Sequence, residues 1–279
     1  MWKPEHRQAA DRSCLRYPSD LTDAEWAIVE LMIPPARHGG RKRSVNVREV
    51  LNGIFYVLWT GCQWKALPKD LPPKSTVHDY LELWNWDGTL ERIHHALYVA
   101  VREQEGREAS PNGGDHRFAN RKGCSKRGSW LDPSGYDAGK KIKGRKRHIL
   151  VDTLGLLLGV VVHPANVQDR DGAFPLLRRA RRLFPFITRI FADGGYNGEK
   201  MALVVWRTGA WKLEIVKRSD AVGFEILPKR WIVERTFAWI SRNRRLARDF
   251  ERYAATVIAF IRIAMIRIML RRLAANASS

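Results

Sequence analysis

Residues 156–163 read LLLGVVVH, an apolar run without polar alternation. That pattern predicts a strand covered on both faces, which places this half of the chain in the α/β class. Leu154-Gly155 make a tight turn back to a preceding strand, Ile149–Thr153, so the two strands form a hairpin. Asn166–Asp171 then opens a helix over Ala173–Leu183, with Arg178, Arg179, Arg181 and Arg182 on its exposed side and Pro185 ending it. The stretch Thr188–Gly198, TRIFADGGYNG, follows: Ile190 and Phe191 end abruptly in Asp193, with Gly194-Gly195 at once behind it. A buried strand delivering a carboxylate to a loop mouth has this form, and open α/β sheets keep their chemistry there. The same letters equally describe an Asp that only makes an Asx-turn. A helix over Glu199–Thr208, a short strand Leu213–Lys217, a helix Trp231–Arg245 with Glu234 in its first turns, and a long apolar helix Tyr253–Leu273 complete the order. There is no regular βαβ alternation, no G-x-G-x-x-G and no Walker loop. The order is that of a ribonuclease-H-like core, provided one more strand precedes it.

The first hundred residues have helical periodicity instead. Thr22 with Glu25 three on predicts a capping box, Leu21 is placed to staple onto Trp26, and Trp26, Val29 and Ile33 share a face until Pro34-Pro35. Asn46 and Glu49 start a second helix with the stripe Val50, Ile54, Val57 and Leu58, closed by Gly61. A third begins near Ser75 and carries Tyr80, Leu81 and Trp84; a fourth begins at Thr89 with Leu90, Ile93, Leu97 and Val101. Short helices with basic connections, among them Arg41, Lys42 and Arg43, predict a DNA-binding module of helix-turn-helix character. An ordinary helical scaffold fits the same pattern.

Charge narrows the partners. Lys and Arg number 49 against 29 Asp and Glu, a net charge of +20, and a protein this basic usually meets a polyanion. Nucleic acid is the expected one. The run Lys140, Lys141, Lys143, Arg145, Lys146, Arg147 leads into the first strand of the hairpin, where phosphate contacts are useful, and Arg242 adds a further cation in the helix after Trp231. Cys14, Cys62 and Cys124 form no C-x-x-C, which argues against a zinc ribbon or a disulfide framework and fits a reducing cytoplasm. No apolar signal segment opens the chain, and Arg262 and Arg267 interrupt the one membrane-like stretch, so no membrane partner is expected.

Three strings carry a resemblance. DPSGYDAGKKIKGRKRHILVDTLGLLLGVVVHPANVQDRDGA, FADGGYNG and RWIVERTFAWISRNRRLARDFERY resemble the DDE transposases of bacterial insertion sequences, in the insertion-sequence-five group. YPSDLTDAEWAIVELMIPP and GCQWKALPKDLPPKSTVHDY are similar to that group's helical DNA-binding domain, so the likeness runs from Tyr17 to about Leu273. It implies a helical DNA-binding domain over 1–105, a basic linker and first-strand segment over 106–139, and a ribonuclease-H-like core over 140–279. It also implies three acidic residues holding two Mg²⁺ or Mn²⁺ ions, with the second Asp at Asp193, the Glu at Glu234, and an Arg of the signature at Arg230. Without the resemblance, Glu234 reads as a first-turn Glu favoured by the helix dipole. The implied partners are the terminal inverted repeats and target DNA, engaged by a homodimer in the synaptic complex, in a bacterial cytoplasm at the nucleoid. The residue types suit the reaction: hard cations take carboxylate oxygens, and two of them can serve both the attacking and the leaving oxygen of a phosphodiester.

The pattern breaks upstream. The family's first Asp ends a strand of the form apolar-Ile-Asp-Ser-Gln, and here that position holds Arg117, within PNGGDHRFANRKGCSKRGSW, where no apolar strand is visible. A cation in place of a metal-binding carboxylate repels the ion. Asp115, two residues earlier and on the same side of any strand, is the candidate substitute ligand. Asp115–Lys122 can be encoded by GAT CAT CGA TTC GCA AAC CGT AAA, and that string read one position later gives Ile-Ile-Asp-Ser-Gln-Thr-Val. A pair of compensating frameshifts over Asn112–Arg127, in the gene or in its sequencing, is the hypothesis this suggests for the missing motif, and the gene's own nucleotides test it. Two functions compete on this residue: a metal-dependent transposase, or a DNA-binding relative that cannot cut. A basic RNA-associated structural protein is a third.

Overall fold

The structure is a computed structural model that describes residues 11–36, 39, 43–111, 113–122, 134–139, 141–216 and 228–277, giving the backbone alone for 113–122, 228–230 and 276–277. It divides into two compact units, one formed by 1–105, 243–245 and 262–279, the other by 106–242 and 246–261.

The first unit is helical. Helix α1 (Asp23–Glu30) starts on the expected capping box: Thr22 Oγ1 accepts the Glu25 N–H at 3.2 Å and Glu25 Oε2 accepts the Thr22 N–H at 3.0 Å. It stops at Glu30, short of Ile33, and of the expected face only Val29 is fully buried. In α2 (Val47–Thr60) the Asn46 side chain accepts the Arg48 and Glu49 N–H groups. The helix ends at Gly61, whose φ of 69° lies in the left-handed region, and a Cβ there would stand 3.0 Å from Arg244 Cβ. Helices α3 (Lys74–Trp86) and α4 (Thr89–Gln104) complete the set, and Val50, Ile54, Leu58, Val77, Leu81, Trp84 and Leu97 fill the core.

His94 of α4 is buried in this unit, and burial, with Arg262 and His95 adding to it, lowers its pKa from 6.5 to about 3. The folded protein therefore keeps the imidazole neutral while the unfolded chain takes up a proton below 6.5. Stability is complete above that pH and falls as pH drops toward the folded value. A loss of about 2 kcal/mol is expected between pH 6.5 and 5, read as the fall in urea midpoint, and His94→Leu should remove that slope.

The second unit is built on one mixed sheet. Strand β1 (Gly113–Lys122) pairs antiparallel with β3 (Ile142–Val151) on one edge and parallel with β5 (Arg189–Ala192) on the other. The far edge of β3 is shared by β2 (Gly135–Asp137) and β4 (Leu157–Pro164), and β6 (Lys212–Ile215) continues parallel from β5. Without β2, the spatial order is β4-β3-β1-β5-β6. The hairpin read from the apolar runs is β3–β4, and a strand, β1, precedes it, drawn from GGDHRFANRK, where composition showed no strand. Helices α5 (Asp169–Leu183) and α6 (Glu199–Gly209) follow β4 and β5, and α7 (Pro228–Ser241) lies against β1 and β3. The short α8 (Arg244–Ala247) and the long α9 (Ala254–Ala277) close the chain. Among the described residues no helix is long and apolar enough to cross a membrane.

The basic run departs from expectation. Strand β3 begins at Ile142, so the run lies inside the strand instead of leading into it, and Arg145, Lys146 and Arg147 are buried. Their charges are answered from within the unit. Arg145 forks onto the Asp249 carboxylate, with Nε donating at 2.7 Å, and also donates to the Glu251 carbonyl at 2.8 Å. Arg147 donates to the Leu246 carbonyl at 2.8 Å. Lys146 Nζ meets the Val167 carbonyl and Asp169, each at 2.9 Å, and Asp137 at 3.4 Å. Unpaired, such charges would be costly inside a protein.

Candidate active site

Strand β5 delivers Asp193 to its C-terminal end. The residue is extended (φ −79°, ψ 174°), and its Oδ1 accepts the Gly195 N–H at 3.1 Å, capping a single turn over Gly194–Tyr196. The Asx-turn is thus present, and the half-exposed carboxylate also stands at the loop mouth. Tyr196 closes the same turn, its N–H donating to the Asp193 carbonyl at 3.0 Å. Its ring is fully buried, and its hydroxyl lies 3.2 Å from His148 Nδ1 on β3. The His148 ring is 4.5 Å from that of His163 on β4, whose Nδ1 lies 2.9 Å from the Pro164 carbonyl. Burial raises the Tyr196 pKa and lowers that of His163, which favours the neutral form of each. Gly172 of α5 makes room for the histidines, since a Cβ there would come within 2.0 Å of His163 Nε2. These three side chains, which sequence reasoning passed over, tie the Asp193 turn to the sheet. Of the three only His163 stands out, as the lone polar ring of the apolar string LLLGVVVH; His148 ends the basic run and Tyr196 lies among glycines and Asn197.

The register of β1 against β5 places the remaining positions. The last pair is His116 with Ala192, so one residue further along stand Arg117 and Asp193. Asp115 is level with Phe191, two residues short of that row. Helix α7, carrying Glu234, also borders β1. It begins at Pro228, which makes Glu234 its seventh residue and exposed, past the first turn where a helix dipole favours an acid. Its neighbours anchor it: Arg235 donates to the Leu154 carbonyl at 2.9 Å and Thr236 Oγ1 to the Gly155 carbonyl at 2.7 Å. The Arg235 guanidinium sits 4.4 Å from the Trp231 ring centre and 4.8 Å from that of Trp239. Gly155 (φ 79°) fits beneath this clasp because a Cβ would press within 2.9 Å of Thr236 Oγ1. Arg230 lies in the first turn of α7, its side chain outside the described residues.

The expected DNA contacts sort by exposure. Arg145, Lys146 and Arg147 are buried and paired inside the unit. Lys141, Lys143 and Arg242 are exposed. Arg43 turns inward to the Pro34 carbonyl at 3.1 Å, while Arg41, Lys42 and Lys140 lie outside the described residues. Among the described residues no cluster of three or more His, Cys, Asp or Glu could hold a metal. Arg117 and Asp193 each follow the last paired residues of β1 and β5, and the Arg117 side chain lies outside the described residues.

Two family matches span the chain. Residues 21–94 match "Putative transposase of IS4/5 family", and residues 87–269, well over half of the chain, match "Transposase DDE domain". The chain belongs to the DDE transposase family. Its relatives among insertion sequences include "Putative transposase for insertion sequence element IS402" of Burkholderia cepacia, 34% identical over 127 residues, which are 43% of this chain and 60% of that protein. "Insertion element IS402 uncharacterized 16.2 kDa protein" of the same organism is 31% identical over 88 residues, 29% of this chain and 60% of that protein. This DDE transposase thus spans about 60% of the length of the curated relatives it matches. The crystal structure of a pre-cleavage Mos1 transpososome aligns over 88% of this chain and 83% of that one, at 10% identity and a TM-score of 0.26, too slight a likeness to carry argument.

Proposed function

We propose that this DDE transposase binds the terminal inverted repeats of its insertion sequence, as a dimer holding two ends, and that the chain as written binds them without cutting. The observation that carries this is the register of β1 against β5, in which Arg117 and Asp193 each come directly after the last pair, His116 with Ala192, with the Glu234 helix against the same strand β1. The order β4-β3-β1-β5-β6, antiparallel and then parallel about β1, supports a ribonuclease-H-like core, and the helices before it support a DNA-binding domain over 1–105. In such a core the row and the helix would supply three carboxylates to Mg²⁺ or Mn²⁺; here Asp193 and Glu234 are two of them, and Arg117 withdraws the third. Asp115 would have to reach past two residues of strand, about 6–7 Å, to replace it. Arg230, one turn before Glu234, and the exposed Lys141, Lys143 and Arg242 are the residues we assign to the DNA backbone near the site.

The test is a gel-shift and nicking assay of this chain on end-repeat DNA with Mn²⁺. A retarded band with no nick is expected. Nicking at the rate of an intact relative would overturn the disabling role of Arg117, and absence of any retarded band would overturn the DNA reading itself.

A further inference from the structure

Burial of Arg145, Lys146 and Arg147 takes three cations of the densest basic run off the surface, and the exposed positive charge of the second unit lies elsewhere as well. It is concentrated on α5. Gly172, Ala173, Leu176, Leu177 and Ala180 pack inward, which fixes the opposite face outward, and Arg178, Arg179, Arg181 and Arg182 are all exposed there. Among the described residues Arg178 and Arg182 have no hydrogen-bond or ion-pair partner, whereas Arg189 nearby is paired with Glu214 at 3.2 Å. Arg181 reaches only the Pro185 carbonyl, at 3.4 Å.

Two cations in the last turn would be enough to complement the helix dipole. This helix has more, at spacings that oppose one another: Arg178 with Arg182 four apart, and Arg178 with Arg181 and Arg179 with Arg182 three apart. Like charges at those spacings destabilise a helix, and a polyanion relieves them. The patch also widens onto α6. A Cβ on Gly209 would stand 2.9 Å from Arg181 Cδ, so the C-terminal ends of the two helices meet, and α6 adds exposed Arg207. All the cations of α5 are arginine, whose planar fork suits phosphate oxygens bidentately.

We propose that the arginine face of α5, with Arg207, is a second phosphate-binding surface that holds duplex DNA away from the cleavage site. It rests on the DNA-binding reading above. Its place in the fold sets it apart from that site: α5 ends at Leu183 and β5 begins at Arg189, so the arginines come up to the N-terminal end of the strand whose other end delivers Asp193. The four residues of β5 separate the two by about 13 Å along the strand. A duplex on this face is flanking or target DNA beyond the scissile phosphate.

The test measures binding of the full chain to a fluorescent duplex of unrelated sequence over a salt series. It compares the double substitution Arg178→Gln with Arg182→Gln against Arg248→Gln with Arg252→Gln, two other exposed arginines of the same unit. Each lost phosphate contact flattens the plot of log affinity against log salt by about 0.9. The α5 pair should flatten it by about 2 and weaken binding about tenfold or more at low salt, with the control pair unchanged. The thermal midpoint of the α5 variant should stay level or rise, because repulsion is relieved, whereas a merely structural role would lower it. Equal slopes in both variants overturn the proposal. So does loss of self-association without loss of DNA binding, which would give the face to a second copy of the chain. A parent chain that binds no duplex at all overturns the DNA reading and this surface together, and is told apart by the gel shift on end repeats.

Discussion

Arg117→Asp is expected to give a protein that takes up Mn²⁺ and nicks end-repeat DNA where the parent chain does neither. The argument is electrostatic. Arg117 follows the last β1–β5 pair in the row of Asp193, so the substitution exchanges a cation for a carboxylate beside a site proposed for divalent ions. Two unit charges 4 Å apart interact by about 4 kcal/mol at an effective dielectric of 20, and both the lost repulsion and the gained attraction act on a doubly charged ion. Even after discounting for solvent, a gain of at least a hundredfold in Mn²⁺ affinity, roughly 3 kcal/mol, is expected by titration calorimetry. A second chain, with the neighbouring frame restored to give Ile-Asp-Ser-Gln at this position, guards against a substitution that merely fails to fold. If neither gains Mn²⁺ affinity or nicking, the assignment of this row to metal chemistry is wrong.

The other large effect lies away from the site. Asp249→Ala is expected to destabilise the second unit by about 3–5 kcal/mol, because it strands the Arg145 guanidinium without its carboxylate. Arg145 is 1% exposed and Asp249 2%, so solvent cannot take the partner's place. Arg145→Met together with Asp249→Leu should recover most of that loss, since a well-packed apolar pair avoids desolvating two charges. Urea denaturation measures both, and a loss below about 1 kcal/mol for the single substitution would refute the internal role given to this pair.

What the letters disclosed and concealed has a physical pattern. Local signals survived: the Thr22–Glu25 capping box, the Asn46 cap with Gly61 closing the same helix, and the β3–β4 hairpin are formed by residues close in sequence. Features set by distant partners did not. Arg145 and Arg147 read as part of a surface run because their partners, Asp249 and the carbonyls of Leu246 and Glu251, arrive about a hundred residues later. Strand β1 was invisible because Gly113, Gly114 and its charged residues have neither alternation nor β-branching, and pairing on both edges makes it a strand. At the site, Asp193 was legible from its strand-to-glycine break, while the Tyr196–His148–His163 contact needed three separate strings brought together.

The position of β1 also bears on how the second unit is assembled. The β3–β4 hairpin closes a short loop and can form early, but the parallel pairing of Gly113 with Arg189 joins residues more than seventy apart. Loop-closure entropy is lost before that pairing returns any stabilisation, so non-local pairings of this kind set the pace of folding. With its least β-like segment in the middle of the sheet, the unit has a slow, cooperative closing step. Until β1 is seated, the edges of β3 and β5 that it covers remain open to pairing with other chains.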